Sequence, residues 1–175
     1  AQTFQIIPTP TITVSAPANA SEHIVEDPMT ISWSVRGLSI DHVAIDYWDD
    51  TDENGLIDGT ETVAEVIAAS NSRGASDTAD AYSGKYTGSY TWTVPDSATA
   101  SSTLKMRIRG YDSANTLKAT VYSLGHFRIK GGFQFRDETT TSNVLATSTD
   151  WKANTSHSIK WYNRGTFPAV KLEYK

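Results

Sequence analysis

Apolar and polar residues alternate along much of this chain, in short runs that polar turns separate. Residues 29–37 place Ile31, Trp33 and Val35 at every second position, and residues 43–47 alternate in the same way. Because successive side chains of a β-strand point to opposite faces of its sheet, a period of two predicts strands with one buried face. The other runs of this kind are residues 11–14, 90–94, 104–109, 127–129 and 133–135.

Many short strands with polar, glycine-rich turns between them are typical of a β-sandwich, so the sequence predicts an all-β fold. We expect an antiparallel sandwich of about seven strands. It would cover residues 4–130, with residues 71–88 as a long loop because they include few bulky apolar side chains. The residues expected to face the core are Ile31, Trp33, Val43, Ile45, Trp92, Met106, Ile108 and Phe127.

The chain also repeats itself. The alternating run at 43–47 recurs at 170–174, and three residues that precede it recur 128 positions later (161 − 33 = 128). We therefore predict one complete repeat at 1–130 and the beginning of a second at 131–175, with a Gly-Gly hinge between them. The three recurring pairs are Ile31 and Ile159, Trp33 and Trp161, and Gly37 and Gly165.

The second repeat offers too few strands to complete a sandwich, which has about seven. Two explanations stay open. The favoured one is that the chain is a fragment of a longer tandem protein, because the repeat phase is unbroken to its end. The other is that a neighbouring chain supplies the missing strands by β-addition. In either case, we expect an uncovered apolar face formed by Ile159, Trp161, Val170, Leu172 and Tyr174.

Residues 50–61 read Asp-Thr-Asp-Glu-Asn-Gly-Leu-Ile-Asp-Gly-Thr-Glu and match a twelve-residue calcium loop at its diagnostic positions. Calcium takes roughly 6–8 oxygen ligands, which alternating acidic side chains on a turning backbone supply. The glycine at the sixth position permits the positive φ of the turn. The predicted ligands are Asp50, Asp52, Asn54, the carbonyl of Leu56, Asp58 (directly or through water) and Glu61 through both carboxylate oxygens.

The flanks of this loop indicate what the metal would do. Residues 43–47 upstream are predicted to be strand, whereas residues 62–69 fit either one face of a short helix or an irregular strand. A calcium sensor that opens needs paired helices on both sides of its loop, so a strand-flanked loop favours a structural clamp. The alternative is an acidic, solvated hairpin loop without metal, because Asp, Asn and Gly are common in turns.

Composition narrows the function classes. The 175 residues carry a net charge of −5 and offer no basic face to phosphates, which argues against nucleic acid as a partner. Because the chain has no cysteine, disulfides, thiolate metal sites and thiol catalysis are excluded. No apolar run approaches the roughly 18 residues of a membrane span. The start, Ala1-Gln2-Thr3, is typical of a trimmed mature end or an excised fragment. Because calcium is abundant outside cells, we expect an extracellular or cell-surface protein.

No set of residues predicts catalysis. The chain has no nucleophile elbow and no phosphate loop, and its acidic cluster lies in one loop, which suits one cation better than two carboxylates flanking a sugar bond. We predict that the chain is not an enzyme, since no set of nucleophile, base and orienting group can be named. The histidines are scattered and are expected at the surface or its boundary: His23, His42, His126 and His157.

The five tryptophans form two groups. Trp33, Trp92 and Trp161 stand in phase with apolar neighbours and are expected in the core. Trp48 borders the acidic loop, and Trp151 lies in a polar segment. An exposed tryptophan can stack on a sugar, but the favoured interpretation is that each covers an edge of the sandwich. Exposure of both on one flat face would favour carbohydrate binding instead.

Two family resemblances follow from these motifs. Residues 50–61 alone resemble the EF-hand-type calcium loops of dockerins and of thrombospondin type 3 repeats. The run Tyr90-Thr91-Trp92-Thr93-Val94-Pro95, together with residues 31–33, 43–47, 106–109 and 127–129, resembles immunoglobulin-like or fibronectin-III-like modules repeated in large microbial surface proteins. It is also similar to the Kre9/Knh1-type module of Ser/Thr-rich wall proteins. This chain departs from such modules by carrying the calcium loop in place of a short hairpin.

The resemblances imply an immunoglobulin-like antiparallel β-sandwich and a non-catalytic, calcium-stabilised structural repeat of a secreted or cell-surface protein. Such a protein would be a stalk, adhesin, sheath or filament subunit. Its partners would be neighbouring repeats or copies of itself, with cell-surface glycans or other surface proteins as further candidates. The alternative function is a carbohydrate-binding accessory module of an extracellular enzyme.

Overall fold

The computed structural model describes residues 9–59, 61–77, 84–98, 100–136, 152–165 and 169–173. Within these ranges the chain forms twelve β-strands and no helix, so the predicted all-β fold is confirmed. The strands are β1 (Thr11–Ala16), β2 (Glu22–Ile24), β3 (Pro28–Arg36), β4 (His42–Asp49), β5 (Val63–Ser72), β6 (Ala75–Ser76), β7 (Lys85–Thr93), β8 (Ser101–Tyr111), β9 (Leu117–Tyr122), β10 (Phe127–Lys130), β11 (Gly132–Arg136) and β12 (Lys160–Arg164).

Strands β1 to β10 form two sheets. One has the order β1-β3-β7-β6. The other has the order β2-β10-β8-β4-β5, and β9 pairs with the end of β8 that β10 leaves free. Every pair in these two sheets is antiparallel except β2 with β10, which is parallel. The predicted antiparallel sandwich is therefore present except at one edge, where the short strand β2 joins the larger sheet in parallel with β10.

The two sheets face each other across one hydrophobic core. All eight residues predicted to point inward are at most 7% exposed. The rings of Tyr47 from β4 and Trp92 from β7 belong to different sheets, and their centroids lie 5.4 Å apart. In β3 every second residue is buried, as the period of two predicts. Full burial of a large apolar side chain contributes about 1.5–3 kcal/mol, so this alternation drives the packing of the sheets.

Strand β4 is buried on both faces, which its alternating pattern does not predict. Asp46 on the outer face is fully buried and accepts hydrogen bonds from Arg107 at 2.8 and 2.9 Å and from Arg109 at 2.7 Å. A buried carboxylate is tolerated when cations pair with it. Trp48 is also fully buried, and its ring meets Tyr122 edge-on at 5.0 Å. Trp48 therefore has no exposed ring on which a sugar could stack. Trp151 lies outside the described residues.

Two further segments lie between β4 and β7. Residues 62–69, which fitted helix or strand, lie in and just before β5, which pairs with β4. The loop predicted at 71–88 is wrong at both ends, because β5 extends to Ser72 and β7 begins at Lys85, with β6 between them. The physical reason lies at Gly88, where a Cβ would stand 2.4 Å from Cε2 of Trp33. Position 88 of β7 therefore needs a residue without a side chain, because the indole of Trp33 occupies the space. Residues 78–83 lie outside the described residues.

Strands β11 and β12 form a separate antiparallel pair. Phe135 pairs with Trp161 there, as Val14 of β1 pairs with Trp33 of β3, so the second pair has the register of the first. Trp161 is nevertheless 41% exposed, and its predicted core position is wrong. The physical reason is that the larger sheet packs over β3, whereas no second sheet packs over β12 among the described residues. The predicted repeat boundary falls between β10 and β11.

The other large apolar residues that the structure describes after β10 are exposed, as predicted for an uncovered face. Residues 170–173 form no strand, so the strand predicted at 170–174 is wrong over these four positions, and Tyr174 lies outside the described residues. Polar contacts join β12 to the turn between β2 and β3. The hydroxyl of Tyr162 donates to Glu26 at 2.8 Å, and Arg164 forms an ion pair with Asp27. The exposed large apolar and aromatic side chains of this part are Phe133, Phe135, Ile159, Trp161, Tyr162, Val170 and Leu172.

Candidate metal site

The acidic loop at 50–61 joins β4 to β5 at one end of the larger sheet. Its first residue is tied to β8, because the backbone N–H of Asp50 donates to the carbonyl of Thr103 at 3.0 Å. The carboxylate of Asp49 accepts hydrogen bonds from the hydroxyls of Ser101 and Thr103, at 2.8 and 2.6 Å. The loop therefore starts from a fixed position and is flanked by strands on both sides.

Gly55 forms the sharp turn that its place in the loop predicts. Its φ is +82°, in the left-handed region that residues with a Cβ disfavour. Its backbone N–H donates to Oδ2 of Asp50 at 2.9 Å, which folds the loop back onto its own first residue. A Cβ at Gly55 would also lie 2.8 Å from Nζ of Lys105, so a side chain there has no room unless the lysine moves.

The turn brings three of the predicted ligands together. One carboxylate oxygen from each of Asp50, Asp52 and Glu61 lies within 4.8 Å of the other two. Asp50 is buried, Glu61 is half-buried and Asp52 is exposed. Two like charges about 4 Å apart repel by roughly 1 kcal/mol in water and by more near a protein surface. A cation among the three carboxylates would convert this repulsion into attraction.

Two carboxylate oxygens of this cluster are buried and lack a hydrogen-bond partner: Oδ1 of Asp50 and Oε2 of Glu61. The loop itself uses the other oxygen of each group, because Oδ2 of Asp50 accepts from Gly55 and Oε1 of Glu61 accepts from the N–H of Thr51 at 2.6 Å. A buried acceptor without a partner costs roughly 1–3 kcal/mol, and more when it is charged. The two unpaired oxygens therefore fit a bound cation, and this cluster could hold a metal ion.

The other three predicted ligands make different contacts. The side-chain amide of Asn54 donates to Oδ2 of Asp52 at 2.8 Å and to Oδ2 of Asp58 at 2.9 Å. Its Oδ1 accepts from the N–H of Leu56 at 2.7 Å and keeps a second lone pair for a metal. Asp58 stands outside the cluster of three described carboxylates, which suits coordination through water. The side chain of Leu56 is exposed, as expected where only the carbonyl would contribute.

Two residues at this site could not be recognised from the sequence. Nε2 of His126 lies 2.7 Å from Oδ2 of Asp50, and Lys105 of β8 places its ammonium group beside Gly55. His126 is partly exposed, as expected for a boundary residue. Its contact with Asp50 joins residues 76 positions apart, so no local sequence pattern predicts it. Sheet pairing alone brings these residues to the loop.

Comparisons with known proteins do not assign this chain to a family. No protein-family model matches the chain, and no curated protein matches it significantly. Among the described residues, no helix has the length and apolar character needed to cross a membrane. The resemblances to immunoglobulin-like modules and to dockerin-type loops therefore stay hypotheses.

Proposed function

We propose that the loop at 50–61 binds one calcium ion through Asp50, Asp52, Glu61 and the other predicted ligands. The observation that carries the proposal is the pair of buried, unpaired oxygens on Asp50 and Glu61, in one cluster with Asp52. Oxygen ligands suit a hard cation, whereas zinc prefers nitrogen and sulfur. Calcium is favoured over magnesium because it accepts about 6–8 oxygens in irregular geometry, which a turning loop supplies.

The bound ion would act as a clamp on the sandwich. Asp50 follows directly after β4, and Glu61 lies two residues before β5 begins at Val63, so a metal between them closes the connection. An ion that binds only the folded chain stabilises it by mass action, by roughly 2.7 kcal/mol at a hundredfold excess over the dissociation constant. Because both flanks are strands of one sheet, the site suits stabilisation better than an opening switch.

We further propose that the chain is a non-catalytic structural repeat of a secreted or cell-surface protein. The order β1-β3-β7-β6, opposite β4-β8-β9 with β5 beside β4, supports an immunoglobulin-like sandwich. The common register of Val14 with Trp33 and of Phe135 with Trp161 supports a second copy of the module. A neighbouring repeat or a copy of the chain would then cover the exposed side of Trp161. Calcium is plentiful outside cells, which supports an extracellular location.

The carbohydrate-binding alternative has less support. It requires exposed aromatic rings on a flat face, and Trp48, one of the two tryptophans considered for this role, is fully buried. Several exposed aromatic side chains lie instead on β11 and β12, including Phe133 and Trp161. In the proposed tandem protein, these rings pack against the next sheet and not against a sugar.

Calorimetric titration tests the calcium proposal. We expect one calcium ion per chain, weaker binding of magnesium, and a higher unfolding temperature with calcium than with a chelator. Asp50→Asn and Glu61→Gln should remove both effects. Glu53→Gln, an exposed position in the same loop outside the ligand set, should keep both. The proposal is wrong if the wild-type protein gives no binding heat and unfolds at one temperature in both conditions.

A further inference from the structure

The carboxylate of Asp50 is held through one of its oxygens. Oδ2 accepts the N–H of Gly55 at 2.9 Å and lies 2.7 Å from Nε2 of His126. Because an ionised carboxylate only accepts hydrogen bonds, Nε2 of His126 is the donor. Turning the carboxylate would break both bonds, so Oδ1 stays free for a ligand, and it is the oxygen that is buried without a partner.

His126 also contacts a distant part of the fold. It lies between β9 and β10, and its backbone carbonyl accepts the N–H of Ala20 at 2.7 Å. Ala20 belongs to the segment between β1 and β2. The neighbouring N–H of Arg128 donates to the carbonyl of Ser21 at 2.8 Å. Asp50 is thus connected through one histidine to the segment at 17–21 that joins the two sheets.

We propose that His126 is a positioning residue for the metal. Its ring N–H holds Asp50 in the orientation that presents Oδ1 to the ion. Its backbone carbonyl accepts the N–H of Ala20, so metal binding at Asp50 also orders the segment at 17–21. This inference rests on the proposed calcium site. Groups that orient a metal ligand through a hydrogen bond typically contribute 10–100-fold to metal affinity. A purely structural histidine would stabilise the fold equally with and without calcium.

Calcium titrations of His126 variants test the proposal. His126→Leu has a side chain of comparable size but no N–H donor, so it should weaken calcium binding roughly 10–100-fold. His126→Gln offers an amide N–H near the position of Nε2 and should bind nearly as tightly as the wild type. His157→Gln, in the second repeat and outside the site, is the matched control and should leave the affinity unchanged.

Hydrogen exchange supplies the readout that a structural role would not move. At calcium concentrations that saturate each variant, calcium should slow exchange of the Ala20 amide more in the wild type and in His126→Gln than in His126→Leu. Equal calcium affinity of His126→Leu and the wild type would overturn this inference and leave the calcium site intact. Absence of calcium binding by the wild type would overturn both.

A third variant keeps the test decisive if His126→Leu does not fold. His126→Asn retains a polar amide that is too short to reach Oδ2 of Asp50. It should therefore bind calcium more weakly than His126→Gln, with both variants shown to be folded by circular dichroism. Equal affinities of the Asn, Gln and wild-type proteins would overturn the positioning role.

Discussion

The ammonium nitrogen of Lys105 lies 2.8 Å from the point at which a side chain on Gly55 would begin. Lys105 is only 8% exposed, so its charge is held against the acidic loop. Without metal, this charge offsets part of the repulsion among the loop carboxylates. With metal, the same charge repels the ion. Lys105 would therefore stabilise the loop without metal and weaken the binding of a cation.

Replacement of Lys105 by Gln should tighten calcium binding by roughly threefold to tenfold, because a positive charge near the ion is removed. In a chelator, the variant should unfold at a lower temperature than the wild type. Isothermal titration and scanning calorimetry measure the two effects. Lys118→Gln removes the same charge from an ion pair with Asp112 and should leave calcium affinity unchanged. Weaker calcium binding by Lys105→Gln would contradict this electrostatic argument.

Gly55→Ala should destabilise the protein more than Gly59→Ala. Both glycines have positive φ, at +82° and +53°, which costs an alanine roughly 1–2 kcal/mol. Only Gly55 has a neighbour in the way, because a Cβ at Gly59 would meet no atom within 4 Å. We expect a total cost of about 2–3 kcal/mol for Gly55→Ala. Urea unfolding at fixed calcium measures both variants, and equal costs would indicate that Lys105 moves aside freely.

The two tryptophans at equivalent positions of the proposed repeats should differ in their contribution to stability. Trp33 is 2% exposed, and its Nε1 donates to the carbonyl of Arg73 at 3.0 Å. Trp33→Ala should therefore lower the free energy of unfolding by roughly 3–5 kcal/mol. Trp161→Ala should cost about 1 kcal/mol or less, because no sheet in the described part of the chain covers its ring. Chemical denaturation of both variants is the test. A large cost at Trp161 would show that another layer covers it.

The hydroxyl of Tyr47 should ionise only in strongly alkaline solution. Burial, together with the carboxylate of Glu65, raises the pKa of Tyr47 from 10.0 to about 12. The unfolded chain therefore loses this proton first. The contribution of Tyr47 to stability is complete below the unfolded pKa of 10.0 and is lost as the pH rises toward 12. Unfolding temperatures of the wild type and Tyr47→Phe across this range isolate the effect, and parallel curves would contradict it.

Spacing along the chain was sufficient to locate most strands, the inward face and the turn of the acidic loop. Alternation at period two reflects the geometry of a single strand, so it identified Ile31, Trp33 and Ile45 as core residues without knowledge of their partners. The place of Gly55 in the loop predicted its positive φ for the same reason, since the turn is a local property of the backbone.

Contacts between distant segments followed from the assembly of the sheets and not from any local pattern. His126 reaches Asp50, and Lys105 reaches Gly55, because β8 pairs with β4 and β10 pairs with β8. The spacing of these residues along the chain does not predict that arrangement. Burial depends likewise on the next layer. Trp33 and Trp161 stand in matching sequence runs, yet only Trp33 has a sheet packed over it among the described residues, because covering an apolar face is a property of the whole fold.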